Sequence, residues 1–446
     1  MEFSKQSEGK LRTERSEVNK FSNGDEIQVV LEDKLMHGKY IESADKNFIT
    51  LKLDSGYNIG IEKKKVKSIK LIKKFHAEKQ NKESVKEDNS KKTVVILHTG
   101  GTISSAVDYA TGAVTPHFSP EELVAMFPEI KDIANIRSRL MGNMASDDMR
   151  FAHYNLIAKE IEKEVKAGAE GIIITHGTDT MHYTSAALEF MLESLPIPVL
   201  LVGSQRSSDR GSSDAAMNLI CAVNFIVKSN FAGVAICMHH SINDNKCIII
   251  PGASARKMHS SRRDAFKAVN GEDIAEVDYH SGSVRMLHGN YKKKEGRHLQ
   301  VHLMNEKLKI GFVISHPNMF ASELLAYEGF DGLVLEGTGL GHFPISEIDE
   351  HTKEHKKILA ALEKLAKKMP VVMALQTIYG KVDMNVYSPG RVLQEAGVLG
   401  NFSPMTPETA FIKLAWLLSN HPKDVKKLFM ENLRGEIVKR VGVQEF

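Results

Sequence analysis

The sequence predicts a small antiparallel β-barrel followed by two parallel-sheet α/β domains, and three observations carry that prediction. Short runs that alternate apolar and polar residues fill the stretch after Gly24. Nearly continuous apolar runs, separated by helix-period segments, begin at Thr93. The same grammar then restarts beyond a polar region that ends near residue 306. A period of two marks a strand buried on one face, whereas a fully apolar strand between amphipathic helices is covered on both faces.

Taken in order, residues 1–20 are polar and aperiodic and read as a flexible tail. The runs DEIQVVLED, GKYIESA, NFITLKL, YNIGIEK and VKSIKLI follow, divided by turn signals at His37-Gly38, Asp45-Lys46-Asn47 and Asp54-Ser55-Gly56. Strands of this length and spacing within residues 21–75 read as an SH3-like or Sm-like β-barrel. Residues 76–92, HAEKQNKESVKEDNSKK, hold almost no apolar side chain and read as a charged linker. The first α/β domain is assigned to residues 93–290. Its strands are VVILHT (94–99), GIIITH (171–176), PVLLVGS (198–204) and AGVAIC (232–237), and its helices include HYNLIAKEIEKEVKAG and DAAMNLICAVNFIVK. Residues 291–306 form an interdomain linker. Residues 307–446 then repeat the pattern on a smaller scale: KIGFVIS, helical ASELLAYEGF, DGLVLEG, helical EIDEHTKEHKKILAALEKLAKK and PVVMALQ, closed by helices around ETAFIKLAWLLSN and PKDVKKLFMENL.

Composition narrows the class without naming an activity. The 446 residues are 42% hydrophobic and 26% charged, which fits an ordinary globular protein and excludes a disordered or fibrous one. The net charge of +3 is unevenly placed. Residues 1–92 carry 21 Lys and Arg against 16 Asp and Glu, a net of +5, leaving 38 against 40, a net of −2, for the remainder. The excess peaks at KKKVKSIKLIKK (63–74), with seven lysines and no acid, a run suited either to phosphate contact or to a solvated strand edge. Cys221, Cys237 and Cys247 are too few for a secreted disulfide framework and lack C-x-x-C spacing; Cys237-Met238-His239-His240 with Cys247 also lacks zinc-ligand spacing, so no metal site is expected. No apolar h-region opens the chain and no run of 18 apolar residues occurs, so a cytoplasmic location without membrane contact is expected.

The chemistry-bearing residues follow the apolar runs. Strand 94–99 ends in His98-Thr99-Gly100-Gly101-Thr102-Ile103-Ser104-Ser105, strand 171–175 in Thr175-His176-Gly177-Thr178-Asp179-Thr180, and strand 198–202 in Gly203-Ser204-Gln205-Arg206. Carboxyl ends of parallel strands are where open α/β sheets bind ligands. Glycines there let the backbone approach a ligand, and the N–H groups that open the next helix can hold an anion or an oxyanion. A threonine hydroxyl needs a nearby base to become a nucleophile, and a desolvated lysine oriented by a carboxylate can serve. Singly, each threonine also reads as a cap or turn residue, Asp179 as the cap of a helix starting near Met181, and His98 and His176 as hydrogen-bonded packing residues.

The segments LHTGGTISS (97–105) and ITHGTDTMHYT (174–184) resemble the two signature motifs of the asparaginase/glutaminase amidohydrolases with a threonine nucleophile. SDDM (146–149), VGSQRSSDRGSSDAAMNL (202–219), PGASARKMHSSRRDAFKA (251–268) and LQTIYGKVDMNVYSPGRVLQEAG (375–397) fall in the same order, so the resemblance spans about residues 93–435. With the barrel extension, DYATGAVTP (108–116) and VYSPGRVLQEAG, the chain is similar to one branch, the D-subunit family of the archaeal glutamyl-tRNA(Gln) amidotransferases. That resemblance implies an asparaginase-like two-domain fold and a carbon–nitrogen ligase component of protein biosynthesis that hydrolyses glutamine to glutamate and ammonia. It further implies a partner, the E subunit of the amidotransferase, which uses ATP and Mg to amidate Glu-tRNA(Gln), so that tRNA(Gln) is met through the complex, and a homodimer of this chain. No cofactor is implied in this chain, and no Walker-type G-x-x-x-x-G-K-[ST] occurs in it.

By motif, the resemblance makes Thr102 the match to the nucleophile, Tyr109 the lid tyrosine, and Thr178, Asp179 and Lys257 the second hydroxyl–carboxylate–amine set. Ser146 and Asp147 match the holders of the substrate's α-carboxylate, and Gly101 and Gly177 line the substrate. Which of Thr102 and Thr178 attacks first stays open. Where free tetrameric asparaginases take an asparagine and a glutamate from a neighbouring protomer, this chain reads EGTGLGHF (336–343) and GKVDMN (380–385), with Lys381 near the expected glutamate, and Asp147 replaces a frequent glutamine. Two other functions compete: an independent cytoplasmic L-asparaginase, and a non-enzymatic RNA-binding or scaffolding module led by the basic barrel.

Overall fold

The computed structural model describes residues 21, 25–32, 34–41, 43, 45, 47–53, 58–74, 88–101, 103, 105–107, 114–116, 127–208, 213–294, 296, 298–438 and 440–442. The tail at 1–20, linker residues 76–87, Thr102 and Tyr109 lie outside the described residues.

The N-terminal strands fall in the smaller of the chain's two compact units. Strands β1 (Glu26–Val30), β2 (Leu35–Ile41), β3 (Phe48–Lys52), β4 (Asn58–Glu62) and β5 (Ser68–Lys73) pair antiparallel in the order β4-β3-β2-β1-β5. The expected alternation is realised: Ile27, Val29, Met36, Tyr40, Ile49, Leu51 and Ile61 point inward to one core. The sheet's own side chains supply that core, as in a barrel. The lysine run falls on a single 3-10 turn, Lys63–Lys65, and on edge strand β5, which is exposed along most of its length.

In the second unit, β6 (Thr93–Gly100), β7 (Asn135–Met144), β8 (Gly171–Thr175), β9 (Pro198–Val202) and β10 (Gly233–His239) run parallel. Strand β11 (Lys246–Pro251) turns back, β12 (Ala255–Lys257) and β13 (Phe266–Ala268) make a separate hairpin, and β14 (Ala275–Asp278) and β15 (Val284–Met286) complete the sheet. Its order is β15-β14-β11-β10-β9-β8-β6-β7. The four apolar-run strands lie parallel as expected, and the antiparallel pairing of β11, β14 and β15 extends the sheet into a mixed one. The link from His239 to Lys246 is too short for the crossover that a parallel neighbour needs, so β11 must pair antiparallel. Strand β7 escapes the apolar-run pattern because it is an edge strand, half-buried at most positions.

Helices α1 (Phe151–Lys166) and α2 (Met181–Met191) cover one face of this sheet, and α3 (Ala215–Lys228) covers the other. Alternate residues of each buried strand divide between the two: Val95, Leu97, Ile172 and Ile174 join the first core, Val94, Ile96 and Ile173 the second. That split is why these strands read as unbroken apolar runs.

The last third builds a three-stranded parallel sheet from β16 (Ile310–Ile314), β17 (Gly332–Gly337) and β18 (Val371–Leu375). It carries helices α4 (Ala321–Leu325), α5 (Lys353–Lys368), α6 (Ser388–Glu395) and α7 (Pro407–Asn420). Thr406 caps α7 by accepting from Thr409 N at 3.2 Å. Ile412, Leu414 and Trp416 of α7 share one core with α2, Val334 of β17 and Val372 of β18. Phe190 and Trp416 stack with ring centroids 5.8 Å apart, so the two α/β bodies are joined by apolar packing as well as by the chain. Among the described residues, no helix is long and apolar enough to cross a membrane.

Candidate active site

Two neighbouring strands of the large sheet, β6 and β8, end in glycine-containing turns that touch backbone to backbone. Gly101 has φ +84°, and a Cβ there would stand 2.4 Å from Gly177 N. A Cβ on Gly177 would in turn stand 2.8 Å from Ser146 Oγ. Each position thus needs glycine for closeness, and Gly101 for its left-handed backbone too. The result draws the stretch before Thr102, the Thr178 turn and the Ser146 turn to one place.

The Thr178 side of that place is the best-defined chemistry in the molecule. Lys257 Nζ donates to Thr178 Oγ1 and to Asp179 Oδ1, each at 2.8 Å. Thr178 is buried, and the Lys257 side chain is only 9% exposed, whereas Asp179 is 67% exposed. A sheltered amine nitrogen therefore bridges a sheltered hydroxyl and a carboxylate that still meets solvent. Such a bridge can pass a proton to or from the hydroxyl while the carboxylate holds the amine in place. Helix α2 begins beyond Thr180, which forms its N-cap without a side-chain cap bond. Asp179 is spent on Lys257 and not on the helix.

Lys257 comes from far along the chain, on hairpin β12–β13, where it stands opposite Phe266. Ser146 is buried; its Oγ accepts from Thr180 N at 3.3 Å and its carbonyl from Thr180 Oγ1 at 2.7 Å. Asp147 beside it is exposed. Ser146 thus ties the SDDM turn to the HGTDT turn, with a carboxylate at the rim.

The strand-end histidines are packing groups. His98 lies 3.0 Å from Thr175 Oγ1 and 2.7 Å from Ser138 Oγ. His176 Nδ1 donates to Gly177 O at 2.6 Å, and its Nε2 accepts from Thr184 Oγ1 at 2.9 Å. Burial holds the His176 imidazole down to about 4, against an opposing pull from the Gly177 carbonyl, so it is neutral at pH 7. In the third turn, Asp214 accepts from the backbone of Gln205 and Arg206 at 3.0 and 3.1 Å, fixing the segment after β9.

Among the described residues, no cluster of three or more His, Cys, Asp or Glu side chains is arranged to hold a metal ion. The three cysteines are buried free thiols, and His239 is engaged with Asn218 Oδ1 at 2.6 Å. Sequence reading missed a group just behind Lys257. Arg256 Nε lies 3.1 Å from Glu408 Oε1, and His182 Nε2 lies 3.8 Å from the same oxygen. Nothing in the sequence marks Glu408, which reads as an ordinary acid in the first turn of a helix.

Comparisons with known proteins identify the family. Residues 93–290 match the family model for the asparaginase N-terminal domain, 309–429 that for the glutaminase/asparaginase C-terminal domain, and 21–72 that for the GatD N-terminal domain. The chain is 40% identical over 440 residues to the D subunit of glutamyl-tRNA(Gln) amidotransferase from Methanobrevibacter smithii, covering 96% of this chain and 97% of that one. It is 43% identical over 404 residues to the protein of the same name from Pyrococcus furiosus, covering 89% of each. Among solved structures, the thermostable L-asparaginase from Thermococcus kodakarensis superposes with a TM-score of 0.67 at 30% identity, over 78% of this chain and 100% of that one. L-asparaginase I from Vibrio cholerae gives 0.65 at 27% identity, over 78% and 99%. With asparaginase-type domains behind an N-terminal barrel and full-length relatives of one kind, the chain belongs to the family of glutamyl-tRNA(Gln) amidotransferase D subunits, enzymes built on an asparaginase-type amidohydrolase body.

Proposed function

We propose that this chain is the glutaminase component of a tRNA-dependent amidotransferase, with Thr102 as nucleophile and Thr178, Asp179 and Lys257 as its proton-handling set. The observation that carries the reading is the Lys257 bridge, 2.8 Å to both Thr178 Oγ1 and Asp179 Oδ1, at the carboxyl edge of the large sheet. In this scheme the Thr102 hydroxyl oxygen attacks the side-chain carbonyl carbon of glutamine. The hydroxyl proton passes by way of Thr178 and Lys257 to the leaving nitrogen. Ammonia departs, leaving an ester on Thr102; water then hydrolyses the ester to glutamate and restores the hydroxyl. Backbone N–H groups near Gly101 and Thr178 would stabilise the oxyanion, Ser146 and Asp147 would hold the α-carboxylate end of glutamine, and Tyr109 would close the site against water.

The ammonia passes to the partner E subunit, which binds ATP and Mg and converts Glu-tRNA(Gln) to Gln-tRNA(Gln) in the cytoplasm. The working parts are a barrel at 21–75, a catalytic domain at 93–290 and a smaller domain at 307–446, assembled as a homodimer. Ammonia release from glutamine and from asparagine, measured with and without the E subunit and Glu-tRNA(Gln), tests this. Weak release from glutamine by the chain alone, strong release in the full system and none from Thr102→Ala are expected. Equal rates with and without the partner would overturn the coupled reading, and activity in Thr102→Ala would overturn the nucleophile.

A further inference from the structure

Strand β12 is only three residues long, yet it must hold Lys257 to within a fraction of an ångström of its two partners. Successive residues of a strand point to opposite faces, so Arg256 faces away from Lys257. Arg256 meets Glu408 at the start of α7, at 3.1 Å. The same carboxylate oxygen stands 3.8 Å from His182, three residues beyond Asp179 on α2. Glu408 therefore touches the elements that bear both halves of the Lys257 bridge.

The rest of the hairpin is gripped from the same side. Thr409 Oγ1 donates to Ala253 O at 2.9 Å. Asn270 Nδ2 donates to Gly380 O and Pro404 O, each at 2.7 Å, and its Oδ1 accepts from Gly380 N at 2.9 Å. Glu408 and His182 are buried and Arg256 is mostly so, and Glu408 Oε2, Arg256 Nη1 and His182 Nδ1 have no hydrogen-bond partner among the described residues. Desolvating this much charge is costly, and packing alone would be served as well by apolar side chains.

We propose that Glu408 and Arg256 are positioning residues: the C-terminal domain sets the catalytic lysine by clamping β12 and α2 to the first turn of α7. The proposal rests on the assignment of Lys257 to proton transfer. The clamp makes the competence of the large-domain site depend on how the small domain is seated, without the small domain touching glutamine.

The test uses the assembled enzyme with its E subunit and Glu-tRNA(Gln). Glu408→Gln and Arg256→Gln should each lower kcat for glutamine hydrolysis by about tenfold or more while leaving KM unchanged. The double variant should be no worse than the poorer single one, because the two side chains act as a unit. Arg256→Lys, which keeps the cation, should recover part of the loss. Amide hydrogen exchange at residues 255–258 should quicken in Glu408→Gln without a matching change in the β-barrel. A full kcat in Glu408→Gln, losses that multiply in the double variant, or a fall in melting temperature with kcat per folded enzyme intact would each overturn the proposal. Should Glu408→Gln fail to fold, Arg256→Gln decides by the same criteria. If the wild type releases no ammonia, or Lys257→Met retains full activity, the assignment of function fails instead, and the exchange measurement still decides whether Glu408 holds the hairpin.

Discussion

The two α/β bodies share an architecture and differ at the same place, the carboxyl edge of the sheet. On the large sheet, Thr178 and Asp179 extend past β8 and are met by a lysine from another element, leaving Asp179 mostly exposed. On the small sheet, Ser315 and Gln376 follow β16 and β18, but that edge satisfies itself. Gln376 Nε2 donates to Ser315 O at 2.6 Å and to Glu336 O at 3.0 Å, and Ser315 N donates to Glu336 O at 3.0 Å. Polar residues at strand ends do not by themselves make a site. What matters is whether their hydrogen-bonding capacity is closed within the sheet or held open by a partner that can exchange a proton.

The sharpest way to break that contrast is to remove the partner. Lys257→Met should lower glutamine turnover by about 10²–10⁴-fold, the range of a positioned acid–base group, with the fold intact by circular dichroism. A near-normal rate would make the two edges equivalent.

A middle-sized effect concerns what lies beneath the large edge. His176 is buried and neutral with its pKa down at about 4, below the ordinary value of 6.5. Between those two pH values the unfolded chain binds a proton that the native chain does not. Stability is therefore full above pH 6.5 and falls as pH drops toward 4, by an amount of order 3 kcal/mol at about 1.4 kcal/mol per unit. Urea unfolding across that window should show the loss in the wild type and a flatter profile in His176→Gln. Equal slopes would mean that the turn tolerates a charged imidazole.

The smallest effect should come from the small edge. Gln376→Ala leaves the Ser315 and Glu336 carbonyls short of a donor and should cost about 1–3 kcal/mol of stability. Turnover per folded molecule should stay at the wild-type value. A kinetic defect without a stability defect would show that the small edge takes part in the chemistry.

Much of this molecule is legible along the chain. Strands buried on both faces announce themselves as VVILHT, GIIITH and PVLLVGS, because both of their faces meet helices. Alternation does the same for the barrel, and the turns after the apolar runs bring Gly101, Gly177, Thr178 and Asp179 into view, whereas Ser146 and Lys257 enter only through the family resemblance. Strand β7 was not legible, since an edge strand needs no apolar run, nor was the antiparallel return of β11, which a short link imposes.

Tertiary structure alone decided the partners. Lys257 lies 79 residues from Thr178, and no local pattern says which of many lysines will reach it. Glu408 lies further still from His182 and Arg256, in a helix start where an acid is favoured for local reasons. Sequence determined the elements and the residues at their ends because burial and backbone conformation act over a few positions. The pairing of lysine with threonine, and of one domain's carboxylate with the strand beneath that lysine, arose only when the folded sheet brought distant turns to one edge.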